Sequence, residues 1–251
     1  MPEPVVLIGP AMAVTSRYYR PLVEAFEAHG WSARALPRRG FEAELPVASR
    51  AADWSYADEI DDLQDAVATA RAEEPARPVL VLGHSLGAQL AIGHEVRHEP
   101  VDGLVLVGAS VPHHREYPYG GLPLALYAWT MPVTTRLFGH LPKPGFGAPG
   151  AATLMREWAR FARSGVPPFE VDAPVTTPTL VVHLQGDAYA VSRANKRFVA
   201  QFLDPRAVTR WVYTRDDAPE GATTDHVRWV RRPEAVVQRI VDWWATVQVR
   251  R

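Results

Sequence analysis

Short, fully apolar runs recur along the chain, separated by longer stretches whose apolar residues repeat at helical spacing. Val5-Val6-Leu7-Ile8 stops at the breakers Gly9-Pro10, and Val79-Leu80-Val81-Leu82 and Gly103-Leu104-Val105-Leu106-Val107 read the same way. Thr179–Leu184 and Val208–Tyr213 predict two further strands. Residues 31–36 predict another, which Arg34 and the following Pro37 mark as an edge strand. Between these runs, residues 17–29 place Leu22, Val23 and Phe26 on one side and end at Gly30, a helix with a glycine stop. Residues 56–72 line up Ile60, Leu63, Val67 and Ala70, with acids in the first turn. Residues 233–247 close the chain as a helix with Val236, Val237, Ile240, Val241 and Trp244 inward. Strands that are apolar throughout and alternate with helices predict an α/β fold with a mostly parallel sheet covered on both faces.

One stretch breaks the alternation. Residues 111–175 contain no clear strand, and roughly 65 residues is too long for a plain connection. Helices fit residues 122–138 and 151–163, with the punctuation Leu141-Pro142-Lys143-Pro144-Gly145-Phe146-Gly147 between them. The expected organisation is therefore a core of residues 1–110 and 176–251 with a small helical lid inserted at 111–175.

The Val79 run leads directly into Gly83-His84-Ser85-Leu86-Gly87 and a small-residue helical stretch. Strand, sharp turn and helix around G-x-S-x-G form the context in which a serine hydroxyl is lifted clear of a sheet and exposed. The glycines admit the chain where it doubles back. The Leu86 N–H and the positive end of the following helix then face the place where an oxyanion would form.

Composition narrows the chemistry. The 251 residues can bury a full core. A net charge of −1 gives no reason to expect nucleic acid or an anionic membrane as partner. The absence of cysteine excludes disulfides, thiolate nucleophiles and cysteine metal sites. Neither a leader-length apolar segment nor a membrane-length run is visible, so a cytoplasmic location is expected. The basic charge is almost all Arg, only Lys143 and Lys196 being Lys, a bias expected of a high-GC bacterial coding sequence. Neither a metal nor a cofactor is expected.

A serine nucleophile needs a base to take its proton and an acid to orient the base. On folds carrying this elbow the acid and then the histidine follow the serine along the chain. Asp187 follows the Thr179–Leu184 run, which puts it at the carboxyl end of a parallel strand, where ligands bind in such sheets. Glu116 and the pair Asp216 and Asp217 are the substitute acids. His226, in Thr224-Asp225-His226-Val227, follows the last strand; the rival base is the His113-His114 pair after the Val107 strand. The second oxyanion donor should come from the loop after the first strand. Pro10 has no N–H, which leaves Met12 or Ala11.

These residues resemble those of the α/β-hydrolase superfamily over essentially the whole chain. Within it the sequence is similar to poorly characterised serine hydrolases with a Pro-Ala-Met loop. The resemblance rests on Gly9-Pro10-Ala11-Met12, Arg17-Tyr18-Tyr19-Arg20-Pro21, the Gly83–Gly87 elbow, Asp102 to Val107, Asp187 and His226. It implies a sheet of about six strands, fewer than many members have. Asp225 stands where the catalytic histidine usually follows a glycine, and Gly186-Asp187 replaces the common Gly-x-x-Asp spacing.

The resulting expectation is a serine hydrolase that cleaves an ester or thioester of a hydrophobic small molecule through an acyl-enzyme, with Ser85, Asp187 and His226 catalytic. Leu86 with Met12 or Ala11 would hold the oxyanion. Lid residues Tyr117, Tyr119, Leu124, Tyr127, Trp129 and Phe138 suggest a hydrophobic substrate, with His113, Tyr117 and Trp129 expected to line the pocket. Two rivals are an acyl-transferring, lactonising or editing thioesterase of a biosynthetic pathway, and a ligand-binding or cyclising scaffold that keeps the triad as a relic. The sequence leaves the substrate, its acyl length and the oligomeric state open.

Overall fold

The computed structural model describes residues 3–143 and 149–249. Six parallel strands form one sheet: β1 (Val5–Gly9), β2 (Ser32–Ala35), β3 (Val79–His84), β4 (Gly103–Val107), β7 (Thr179–Leu184) and β8 (Val208–Tyr213), in the order β2-β1-β3-β4-β7-β8. In register, Gly9 stands beside Gly83, and His84 beside Val107. The ends of β1, β3 and β4 therefore open at one edge of the sheet.

Side chains alternate across a strand, so each apolar strand feeds two cores. Val5, Leu7, Val81, Leu104, Leu106 and Val181 face one side, against α2 (Tyr56–Glu73), α3 (Leu86–Arg97) and α6 (Ser192–Phe202). Val6, Ile8, Leu80, Leu82, Val105 and Val182 face the other, against α1 (Arg20–Ala28) and α7 (Glu234–Val249). Full burial of β1, β3 and β4 on both faces explains why they read as unbroken apolar runs. The edge strand β2 is only partly buried. Helix α2 begins with a reciprocal cap, in which the Ser55 hydroxyl accepts the Asp58 N–H while Asp58 accepts the Ser55 N–H.

Helix α6 has no counterpart among the elements expected from the sequence pattern. It buries Ala194, Asn195, Phe198, Val199 and Phe202 and presents its basic residues outward. Residues 111–175 contain α4 (Leu122–Phe138) and α5 (Ala152–Ser164), which pack on each other and are joined through a two-stranded pair, β5 (His140–Leu141) and β6 (Gly150–Ala151). The Pro144 to Gly147 part of the expected punctuation lies outside the described residues. Among the described residues, no helix is long and apolar enough to cross a membrane.

Candidate active site

Ser85 stands between β3 and α3 with φ 55° and ψ −111°, a backbone conformation a non-glycine residue adopts only under constraint. The constraint is visible. The Ser85 N–H donates to the Val107 carbonyl at 2.9 Å, tying the turn to β4. A Cβ on Gly83 would stand 2.5 Å from the Gly87 carbonyl oxygen, so only glycine lets the helix fold back on the strand.

Three side chains from distant parts of the chain meet at this turn. His226 Nε2 lies 2.9 Å from Ser85 Oγ, and His226 Nδ1 lies 2.6 Å from Asp187 Oδ2. A carboxylate can only accept, so Nδ1 carries the proton toward Asp187 and Nε2 presents a lone pair to the serine hydroxyl. The other Asp187 oxygen, Oδ1, accepts the N–H groups of Tyr189 at 2.8 Å and Ala190 at 2.9 Å. Burial by itself pushes the Asp187 carboxyl up, but His226 and these two N–H donors outweigh it and hold the group below the usual carboxylate range. Gly108, at φ 60°, leaves room for the imidazole: a Cβ there would meet His226 Cε1 at 3.0 Å. Asp225 has a local task. Its Oδ1 accepts the N–H groups of Val227 and Arg228, fixing the turn that follows His226.

Glu116, Asp217 and the rival base are engaged elsewhere, and Asp216 is exposed. Glu116 pairs with Arg193 at 2.9 Å and Arg197 at 2.7 Å, and Asp217 binds Thr214. His113 Nδ1 is 2.6 Å from an Arg197 nitrogen, and His114 turns to the Gly120 carbonyl.

A cavity of about 650 Å³ opens on Ser85 and His226. Met12, Val14, Leu86, Leu124, Trp158 and Tyr189 supply most of its apolar wall, and Gln89 and Ser110 its polar points. Gln89 is held by its own partners, accepting from the Tyr56 hydroxyl and donating to the Ser110 carbonyl. Among the described lining residues there is no Asp, Glu, Lys or Arg.

Several expectations need correction. Ala11 reaches the cavity, but its N–H is given to the Tyr19 hydroxyl at 2.8 Å and cannot serve an oxyanion. Leu86 and Met12 both remain on the cavity wall. Trp129 does not line the cavity. It is 65% exposed on the outer side of α4 and stacked by the Arg163 guanidinium 4.6 Å away. His113 is buried against Arg197 rather than facing the cavity. Of the other aromatics expected over the pocket, Tyr119 and Phe138 are exposed and Tyr127 packs on Trp158. Tyr117 does line the cavity, where its hydroxyl donates to the Tyr189 carbonyl at 2.6 Å. Trp158, Gln89 and Tyr189 were not anticipated. Among the described residues, no group of three His, Asp or Glu gathers as a metal site would require.

The family model described as serine aminopeptidase, S33, matches residues 1–145, which include the first strand, its loop and the Ser85 elbow. The chain belongs to this family of α/β-hydrolases. It is an α/β-hydrolase enzyme. A search against curated proteins by sequence finds no match. Among solved structures, a pyrethroid hydrolase, PytH, superposes with a TM-score of 0.62 at 18% identity, covering 96% of each chain. A structure from the metagenome-derived lipolytic enzymes LipS and LipT gives 0.63 at 16% identity, covering 95% of this chain and 92% of the other. The thioesterase domain of the curacin biosynthetic pathway gives 0.61 at 14% identity, covering 95% and 91%. At these identities the neighbours establish the α/β-hydrolase fold and leave the substrate to the site itself.

Proposed function

We propose that the protein hydrolyses esters or thioesters of uncharged, hydrophobic small molecules through an acyl-enzyme on Ser85. The observation that carries this reading is the continuous chain Ser85 Oγ, His226, Asp187, at 2.9 Å and 2.6 Å, opening into the apolar cavity.

In this mechanism His226 Nε2 takes the Ser85 proton as Oγ attacks the carbonyl carbon. Asp187 keeps the imidazole in the Nδ1–H tautomer and stabilises the imidazolium that forms. The Leu86 N–H, at the start of α3, and the Met12 N–H receive the oxyanion. Collapse of the tetrahedral adduct breaks the bond to the leaving alcohol or thiol, which takes the proton from His226. A water molecule then repeats the sequence on the acyl-enzyme, giving the acid and restoring Ser85.

The cavity favours esters over the peptides that the family description suggests. An aminopeptidase must hold a protonated terminal amine, and a buried ammonium needs a carboxylate partner. The cavity lining holds no carboxylate, and Asp187, behind His226, is committed to that imidazole and two backbone N–H groups. Glu157, on α5, accepts the Tyr56 N–H and is not part of the wall.

A substrate panel tests the reading: p-nitrophenyl esters and acyl thioesters of increasing chain length, beside aminoacyl p-nitroanilides. Turnover of medium-length esters or thioesters with little on the anilides is expected. Preference for the anilides would overturn it.

A further inference from the structure

Tyr19 and His84 are both fully buried, and neither lines the cavity. Tyr19 belongs to the short turn Ser16–Tyr19 that leads into α1, and His84 is the last residue of β3, directly before Ser85. Their polar atoms form a single chain. The Ala11 N–H donates to the Tyr19 hydroxyl oxygen at 2.8 Å. Tyr19 Oη is 2.7 Å from His84 Nδ1, and His84 Nε2 is 2.7 Å from the His226 carbonyl oxygen.

The shortest contacts of this chain select one arrangement of protons. The His226 carbonyl can only accept, so His84 Nε2 carries the hydrogen. Burial disfavours a second proton on the ring, which leaves Nδ1 as a bare acceptor and makes the Tyr19 hydroxyl the donor to it. The Trp229 indole packs edge-on against the His84 ring with centroids 5.4 Å apart, and its N–H approaches Nε2 at 3.3 Å, a longer contact than the 2.7 Å one to the His226 carbonyl that places the hydrogen on Nε2.

The two ends of the chain adjoin the base and the oxyanion loop of the proposed mechanism. One end is the backbone of His226 itself. The other is the peptide between Pro10 and Ala11, the unit just before Met12. That peptide is pinned on both sides: its N–H by Tyr19, and its carbonyl by the buried Arg38 guanidinium. Arg38 is fixed in turn by an ion pair with buried Glu59, which also accepts the Trp54 indole N–H at 3.1 Å. The next peptide plane, which carries the Met12 N–H, turns about the Ala11 dihedrals, and it is held by its own carbonyl, since the Ala11 oxygen accepts the Val14 N–H at 3.2 Å.

We infer that Tyr19 and His84 are positioning residues forming a buried strut that sets the oxyanion loop and the His226 backbone at one distance from each other across Ser85. The strut rests on the reading of Ser85 and His226 as nucleophile and base. It acts on the transition state rather than on substrate binding, because neither residue reaches the cavity. Misplacement of reacting groups by about 1 Å costs on the order of 100-fold in rate.

The test measures kcat and KM on p-nitrophenyl butyrate, and affinity for an alkyl boronic acid, which forms a tetrahedral adduct on an active serine. The variants are Tyr19→Phe, His84→Asn, His84→Gln and His84→Ala, with Ser85→Ala beside them. Asn keeps an acceptor where Nδ1 stood, and Gln keeps a donor where Nε2 stood, so each preserves one half of the strut. Tyr19→Phe, which removes a single oxygen, is expected to lower kcat about 10- to 100-fold with KM nearly unchanged, and to weaken the boronate in parallel. His84→Asn and His84→Gln should each recover part of what His84→Ala loses, a rescue that mere packing would not produce. If the His84 variants do not fold, Tyr19→Phe decides alone. The strut is overturned if Tyr19→Phe keeps kcat and boronate affinity within about twofold of wild type while Ser85→Ala is inactive, or if its loss appears only in KM. Persistent turnover in Ser85→Ala would instead overturn the reading on which the strut rests.

Discussion

The Cβ that Gly87 lacks would stand 2.0 Å from the carbonyl oxygen of Gly9. The start of α3 thus lies against the end of β1, and the elbow and the oxyanion loop are in direct backbone contact. No side chain fits between them. Gly87→Ala is therefore expected to destabilise the protein by about 3 kcal/mol or more, because both contacting groups are backbone and neither can rotate away. Urea denaturation of the variant measures this. A loss below about 1 kcal/mol would show that the two segments separate easily.

Replacing Asp187 by Asn removes the acceptor that fixes the imidazole tautomer, and an amide can donate to Nδ1 instead. The expected loss in kcat is about 10⁴-fold, with the fold intact by circular dichroism. Activity close to wild type in Asp187→Asn, with loss in Glu116→Gln, would move the acid to the β4 side of the site.

His84 gives stability a dependence on acid. Burial lowers its imidazole from 6.5 to about 3, with the neighbouring His226 adding to that direction. Between those values the unfolded chain binds a proton at this position and the folded chain does not. Stability from this group is therefore fully present above about pH 6.5 and is lost as pH falls toward 3. The slope from one such group is about 1.4 kcal/mol per pH unit. Chemical denaturation between pH 6.5 and pH 4 should show a steeper fall for wild type than for His84→Asn, which cannot titrate there. Equal slopes would mean that the buried ring accepts a proton in the folded state.

Trp158 lines the cavity, and Trp129 does not. Trp158→Ala should shift the preferred ester chain length and leave turnover of p-nitrophenyl acetate much less affected. Trp129→Ala should leave the length profile unchanged. The profiles of the two variants on esters of graded length make the comparison.

Legibility in the sequence followed burial. The strands β1, β3 and β4 read clearly because both of their faces are covered, and the elbow read clearly because its glycines answer a steric need within a few residues. Asp187 and His226 are legible from their places after strands, and in the structure His226 reaches Ser85 while Asp187 reaches His226. Helix α6 was passed over because its core contact rests on few large residues. Its basic residues dominate the segment, although Ala194, Phe198 and Phe202 keep helical spacing. The roof of the cavity was misjudged for the opposite reason. Helix α4 is apolar nearly all round, with Leu122, Leu126, Trp129, Val133 and Leu137 exposed, so its pattern does not say which side faces inward. The partner of the Ala11 N–H was hidden because it depends on how the turn carrying Tyr19 packs, a contact with no periodic signature.

The most direct measurement is intact mass of the protein after exposure to a fluorophosphonate, with the labelled site mapped by peptide sequencing. A single adduct on Ser85 is expected, absent in Ser85→Ala and greatly slowed in His226→Ala, since attack on phosphorus needs the same base and oxyanion donors as attack on an ester. Folded protein that takes no label at Ser85, or labels equally without His226, would contradict it.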